Sequence, residues 1–425
     1  MGNILFTNVR IFDGSGDQPY QGEVLVQGNR IKHVGRGSRT APANGATVLD
    51  GAGATLMPGM TEAHTHFSWN DQPSLDAIQR MPPEEHTLHC AAVAKRYIDM
   101  GWTSTVGAAA AKPRLDVVIR NAIDSGLIPG PRLLANSQEI ATLGGLGDTS
   151  PPHIDVPELS FGVVVSGPEE MRATVRRFIK YGCDLIKLNL SGEEIAGVPA
   201  EATPMTDEEV AMAVSEAKRR GLRVCAHARS NESIKMCVRH GIEIIYHASF
   251  ADEETLDLLE AHKDKHFVAP GLAWLIMTST EAADYGVDPE GPMGLMYKRE
   301  AEIAIETMRK MHRRGIRVLP GGDYGFAWIQ HGTNARDLQY FVDRVGMTPM
   351  EALISATRYG GQIMGRPGEL GQVKPGFLAD LLLVDGDPLT NIRILQDPKR
   401  ILAVMKDGSF HRSPEMQAER GRIAI

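Results

Sequence analysis

The sequence has little of what marks a secreted, membrane-spanning or nucleic-acid-binding protein. Its four cysteines, Cys90, Cys183, Cys225 and Cys237, include no Cys-x-x-Cys pair. So few thiols in a chain this long argue against a disulfide framework and for free thiols in a reducing, cytoplasmic compartment. No apolar run approaches the ~20 residues of a bilayer-spanning helix, so no membrane partner is expected. Positive charge is in deficit: the formal net charge is −8. Phosphate backbones need a basic face, so a nucleic-acid partner is not expected either. The first residues lack the charged-then-apolar order of a signal peptide, although a mature chain can have lost one. Phe6 stands where a myristoylation signal needs Ser or Thr. No short-period repeat or low-complexity tract is present.

What remains is a 425-residue chain of ordinary composition, expected to form one large domain with a smaller companion. Both ends are β-rich. Residues 4–12, 22–26, 30–35 and 48–56 read as short strands of a small antiparallel sheet, and 379–384 and 401–406 have the same texture. The expectation is a composite β-sandwich built from 1–58 and 366–425.

The middle, 59–365, alternates short apolar strands with helical stretches, the mark of βαβ units. Candidate strands are 57–66, 103–106, 132–136, 185–190, 223–227, 243–247, 266–269 and 317–319. Helices are expected over 83–100, 168–181 and 207–220, the last capped by Thr206 with acids in its first turn. Gly101, Gly182, Gly221, Gly241 and Gly315 sit where C-terminal glycine caps belong. Eight such units predict an α/β fold of the (β/α)₈ TIM-like barrel type, with a doubly wound open sheet as the alternative. The stretch 271–296 breaks the rhythm and reads as a long loop overhanging the barrel mouth.

Chemistry concentrates at the C-terminal ends of the candidate strands, where barrel active sites lie. His64 and His66 flank Thr65, so alternation points both imidazoles the same way. His227 and His247 end later strands, and Asp323 follows Pro320-Gly321-Gly322. Lys187 interrupts an otherwise apolar strand, a costly position unless the amine is paired or modified. Singly, each has a mundane reading as a satisfied core histidine, a capping aspartate or a snorkelling lysine. Five strand ends that each offer a metal-binding group make a metal site the joint reading.

With these residues the chain resembles the amidohydrolase superfamily. The matching motifs are Pro58-Gly59-Met60-Thr61-Glu62-Ala63-His64-Thr65-His66, Asp184-Leu185-Ile186-Lys187, Ala226-His227-Ala228, Tyr246-His247 and Gly321-Gly322-Asp323. The stretches Gly371-Gln372-Val373-Lys374-Pro375-Gly376 and Val404-Met405-Lys406-Asp407-Gly408 resemble the return into its β domain. The resemblance implies two divalent metal ions, zinc being expected. His64, His66 and Asp323 would hold the more buried one and His227 and His247 the other. Lys187, as N6-carboxylysine, would bridge them. It implies hydrolysis by a metal-bridging hydroxide, with Asp323 carrying the proton to the leaving amine. It also implies a homo-oligomer, an octamer among the assemblies it allows.

Within the superfamily the chain is similar to the metallo-dipeptidase and carboxypeptidase branch (Xaa-Pro, Xaa-Arg/Lys), which includes bacterial amidohydrolases that split ochratoxin A into ochratoxin α and phenylalanine. Such substrates are small molecules, an N-acyl amino acid or dipeptide with a free carboxylate. Two readings of Arg229 stand: a clamp on that carboxylate at the pocket rim, or a surface arginine paired with Glu232. Tyr246 is a further candidate contact. Several members of the branch carry Gly-Gly-His where this chain has Gly144-Gly145-Leu146. Either His153 substitutes from the next loop, or the pocket is more apolar and prefers an aromatic amide. Phe67, Trp69, Trp274, Phe326 and Trp328 are candidates to line it, and His331 either reaches the substrate or has no task there. A lactonase or phosphotriesterase shares the two-metal site and is the rival chemistry. A deaminase would lack the Lys187 bridge, and a catalytically dead scaffold would have lost ligands that are all present here.

Overall fold

A computed structural model describes residues 2–41, 45–153 and 160–414. The chain begins with five strands, β1 (Asn3–Ile11), β2 (Tyr20–Gln27), β3 (Arg30–Arg36), β4 (Ala46–Asp50) and β5 (Thr55–Pro58). Nine follow in the middle: β6 (Met60–Thr65), β7 (Trp102–Gly107), β8 (Arg132–Leu134), β9 (Glu139–Thr142), β10 (Gly162–Val165), β11 (Leu185–Asn189), β12 (Arg223–Ala228), β13 (Ile244–His247) and β14 (Phe267–Ala269). Three close the chain: β15 (Leu381–Val384), β16 (Ile401–Lys406) and β17 (Ser409–Arg412).

The two ends share one eight-stranded sheet in the order β17-β16-β15-β5-β1-β2-β3, with β4 also on β1. It is not all antiparallel, as the short strands suggested. β1 pairs parallel with β4 and β5, because the chain crosses back beside its own first strand before entering the middle segment. Alternating residues, among them Phe6, Val24, Val26, Leu56, Leu381, Leu383, Ala403 and Met405, form one buried apolar layer of this sheet. Residues 415–425, assigned to the β domain from the sequence, lie outside the described residues.

The middle strands form two parallel arcs, β6-β7-β8 and β10-β9-β11-β12-β13-β14. Apart from β10 beside β9, strand order follows chain order without reversal, unlike a doubly wound sheet, whose order reverses at a switch point. Residues 317–319 make no ladder of their own. Val318 bridges Val268, with Val268 N–H donating to Arg317 O (2.9 Å) and Leu319 N–H to Val268 O (2.9 Å). Ala63 N–H donates to Pro320 O (2.9 Å), and Asp184 N–H to Ala135 O (2.8 Å), so backbone bonds run across both gaps between the arcs. A separate cluster of buried residues, including Ala63, Val106, Leu185, Cys225, Ile244, Tyr246, Phe267 and Leu319, packs between the strands. Each large apolar side chain buried there contributes about 1.5–3 kcal/mol.

The helices obey their local signals. Thr206 and Glu209 form a reciprocal capping box at the start of helix Asp207–Lys218. Gly182 and Gly241 close Pro168–Tyr181 and Asn231–His240 in the left-handed conformation that glycine adopts without strain. The expected loop at 271–296 is instead helical: Leu272–Glu281, then a turn, then the start of Pro292–Arg313. Leu272–Glu281 is apolar almost all round and mostly buried, so it carries no amphipathic stripe to announce itself. Among the described residues no helix is long and apolar enough to cross a membrane.

Candidate metal centre

Six side chains from five places in the chain meet in one buried pocket. His64 and His66 come from β6, Lys187 from β11, His227 from β12 and His247 from the end of β13, and Asp323 follows the eighth strand segment. The rings of His64 and His66 lie 5.1 Å apart, those of His64 and His247 5.0 Å, and those of His227 and His247 4.4 Å. Asp323 sits among them: Oδ1 is 3.2 Å from His66 Nε2 and 3.7 Å from His64 Nε2, and Oδ2 is 4.0 Å from His247 Nε2. Lys187 Nζ lies 4.9 Å above the Tyr246 ring, on which His64 also stacks at 4.0 Å.

Backbone shape makes this convergence possible. Tyr246 of β13 lies in the apolar cluster between the strands, so a straight strand would aim His247 the opposite way. His247 instead takes φ +74° and Ala248 +54°, and Asp323 takes +65°. Left-handed backbone at non-glycine residues is strained, and such strain concentrates at functional sites. The glycines around them are placed by contact. A Cβ on Gly271 would lie 2.7 Å from His247 Nδ1, and one on Gly321 2.8 Å from His64 Cβ.

The donor set fits a pair of divalent cations. Burial pushes the imidazoles of His64, His227 and His247 well below their ordinary range, so they are neutral and their lone pairs are free to bind. His64 Nδ1 and both ring nitrogens of His247 are buried without a hydrogen-bond partner, which is costly unless something else satisfies them. His66 Nδ1 is held by Ala109 O (3.0 Å) and His227 Nε2 by Gly192 O (2.9 Å), the outer contacts that orient ligand rings. His64, His66 and Asp323 form one compact group of donor atoms, and Glu193, His227 and His247 a second.

Two carboxylates here went unread in the sequence. Glu193 looks like a loop acid one residue past Gly192, and Glu139 looks like a polar start to an apolar strand. Both are buried and line the pocket. Glu193 accepts from Tyr297 Oη–H (2.7 Å) and pairs with Arg229. The remaining wall is apolar: Trp69, Leu75, Leu146, Phe161, Ile195, Trp274 and Phe326. Phe67 and Trp328 pack behind it, Phe67 against Tyr97 at 5.1 Å and Trp328 against Trp274 at 5.6 Å.

The expected substrate contacts are placed differently. Arg229 is not at the rim. Its side chain is 0% exposed, bound to Glu193 and to Glu300 (Nη1–Oε1, 2.6 Å), because β12 turns it behind the pocket wall against helix Pro292–Arg313. Glu232, its imagined partner, pairs with Arg239 instead. His331 has both nitrogens engaged, Nε2 by Trp69 O (2.8 Å) and Nδ1 by Tyr97 Oη (3.2 Å), so it braces Trp69 from behind. Tyr246 is fully buried, with His64 stacked on its ring and Lys187 Nζ above it, and is not among the residues that line the pocket. His153 is exposed, and residues 154–159 beyond it lie outside the described residues. Leu146 itself lines the pocket.

This cluster of histidines, lysine and aspartate offers the donors of a metal site, and comparison with known proteins gives the family. The Amidohydrolase family model matches residues 55–410, and the chain belongs to that family. It is similar to the ochratoxinase of Aspergillus niger, 26% identical over 380 residues, covering 84% of this chain and 76% of that one. Among solved structures it is similar to a Xaa-Pro dipeptidase with bound methionine in the active site, at 28% identity and a TM-score of 0.86, covering 97% of this chain and 100% of that one. It is also similar to a prolidase complexed with N-methylphosphonate-L-proline, at 25% identity and a TM-score of 0.87, with the same coverage. These neighbours put the chain in the peptidase and ochratoxinase branch of the superfamily, among hydrolases of amide and peptide type.

Proposed function

We propose that the chain is a binuclear metal-dependent amidohydrolase that cleaves an amide joining a bulky apolar or aromatic acyl group to an amino acid. The observation that carries this reading is the convergence of His64, His66, Lys187, His227, His247 and Asp323 in one pocket whose other walls are mainly aromatic and aliphatic. The two arcs of strands and the bonds across their gaps support a (β/α)₈ barrel over 59–365, with 1–58 and 366–425 as the companion β domain. When bound, two divalent cations, zinc by the choice of donors, supply a polarised carbonyl and a water acidic enough to ionise near neutral pH.

The protein's own residues do the rest. His64, His66 and Asp323 would hold one cation and His227 and His247 the other, with Lys187, once carboxylated, as a further ligand. Asp323 takes a proton from the attacking water and passes it to the departing nitrogen. Burial pushes its carboxyl up, but the hydrogen bond from His66 and the other groups facing it outweigh that and hold it below its ordinary range. Trp69, Phe161, Trp274 and Phe326 seat the apolar part of the substrate and exclude water around the reacting bond.

One observation favours a second reading of the leaving group. The Arg229 guanidinium is already matched by two carboxylates, so it offers no open charge to a substrate carboxylate. That favours a neutral amide. A paired substrate panel tests both readings: ochratoxin A, N-acylphenylalanines, and Xaa-Pro and Xaa-Lys dipeptides, each beside its carboxamide. Release of the free amino acid, lost in Asp323→Asn, supports the first reading. Preference for the carboxamides supports the second. Activity on lactones or phosphotriesters alone refutes both.

A further inference from the structure

Glu139 is the one acid of the pocket that the metal reading leaves without a task. Its side chain is 3% exposed, and its Oε1 has no hydrogen-bond partner. β9 and β11 run parallel with Ile140 opposite Leu188, which sets Glu139 opposite Lys187, one residue back on each strand. Ile140 and Leu188 belong to the main apolar core, so alternation turns Glu139 and Lys187 together to the other face of the strands, where both line the pocket. The charged groups that act on Glu139 are Lys187, His66 and Asp323, all three proposed ligands, and the Asn189 amide hydrogen-bonds its carboxylate. Gly147, at φ +100°, leaves the space beside it: a Cβ there would lie 2.7 Å from Oε1.

A buried carboxylate with a bare oxygen destabilises a fold unless a cation answers it. Arg229 cannot, because Glu193 and Glu300 already hold it, and a carboxylated Lys187 brings a negative charge instead. Two divalent cations bring four positive charges. Asp323 and a carboxylated Lys187 return two of them, so the filled centre still lacks anionic charge. We propose that Glu139 is a further carboxylate of the metal centre, supplying an oxygen to the cation pair beside Lys187. The inference rests on the metallohydrolase reading above.

The test compares wild type with Glu139→Gln and Glu139→Asp, each stripped of metal and retitrated with Zn²⁺ and with Co²⁺. If Glu139 serves the cations, then compared with wild type the Glu139→Gln protein gains less in melting temperature from added Zn²⁺. Its Zn²⁺ dissociation constant rises about 10-fold or more. The visible absorption of the Co²⁺ form shifts, and Glu139→Asp falls between the two. Wild-type Zn²⁺ affinity with an unchanged Co²⁺ spectrum in Glu139→Gln overturns the proposal, as does a lowered metal-free melting temperature with unchanged affinity. If Glu139→Gln does not fold, Glu139→Asp decides on the same two readouts. A wild-type protein that takes up neither cation overturns the metallohydrolase reading itself, a result distinct from failure at Glu139 alone.

Discussion

Replacing Arg229 by methionine separates two accounts of one guanidinium. In the structure its side chain is 0% exposed, and its partners Glu193 and Glu300 are 6% and 3% exposed. Glu300 also accepts from Ser249 Oγ–H (2.6 Å), and Glu193 from Tyr297 Oη–H (2.7 Å), so the cation ties β12 to helix Pro292–Arg313 and to the loop after β11. Removing it strands two buried carboxylates. Breaking a buried ion pair by deleting one partner costs about 3–5 kcal/mol, a large share of the ~5–15 kcal/mol that holds a domain together. The expected result in urea denaturation is a large drop in midpoint with little change in slope. Adding Glu193→Gln and Glu300→Gln removes the stranded charges and recovers at least half of the loss. The reasoning is refuted if Arg229→Met costs under ~1 kcal/mol and raises KM selectively for substrates with a free carboxylate, the signature of a rim clamp.

Other outcomes follow from the same geometry. Asp116 is fully buried, and burial pushes its carboxyl from 3.8 up to about 8. The folded state therefore holds this proton more tightly than the unfolded chain. The stability it contributes is full below pH ~4 and is lost as pH rises toward 8, by about 1.4 kcal/mol per unit. Asp116→Asn is expected to remove that part of the decline between pH 5 and pH 8, and an unchanged slope in urea midpoints counts against the argument. Lys187→Ala is expected to lose metal and activity, with partial rescue by a small added carboxylate. Full metal content without rescue, measured by elemental analysis, rules out the carboxylated lysine.

His64, His66, Lys187 and His227 were legible as candidates because they sit in strands, where alternation and chain order place them. His64 and His66 share a face through period-two geometry, and Lys187 stood out as a charge in an apolar run. The α/β alternation was equally plain from apolar strands followed by capped helices such as Asp207–Lys218. What stayed hidden depends on long-range turns of the backbone. His247 reaches the pocket through a left-handed residue that no local pattern announces. Arg229 looked like a rim residue because one of the two carboxylates that hold it, Glu300, lies 71 positions further along the chain. Residues 272–281 passed for a loop because a helix buried on nearly every side shows no amphipathic period. Glu139 was invisible as a site residue because its neighbour Lys187 belongs to another strand.

The central claim is that one pocket gathers two cations around these six side chains. Diffraction from zinc-replete crystals, with anomalous data collected on either side of the zinc absorption edge, tests it most directly. The account predicts two anomalous peaks per chain, one against His64, His66 and Asp323 and one against His227 and His247, with carboxylate density extending from Lys187 Nζ between them. A fully ordered pocket with no peak, or zinc bound elsewhere on the chain, would contradict it.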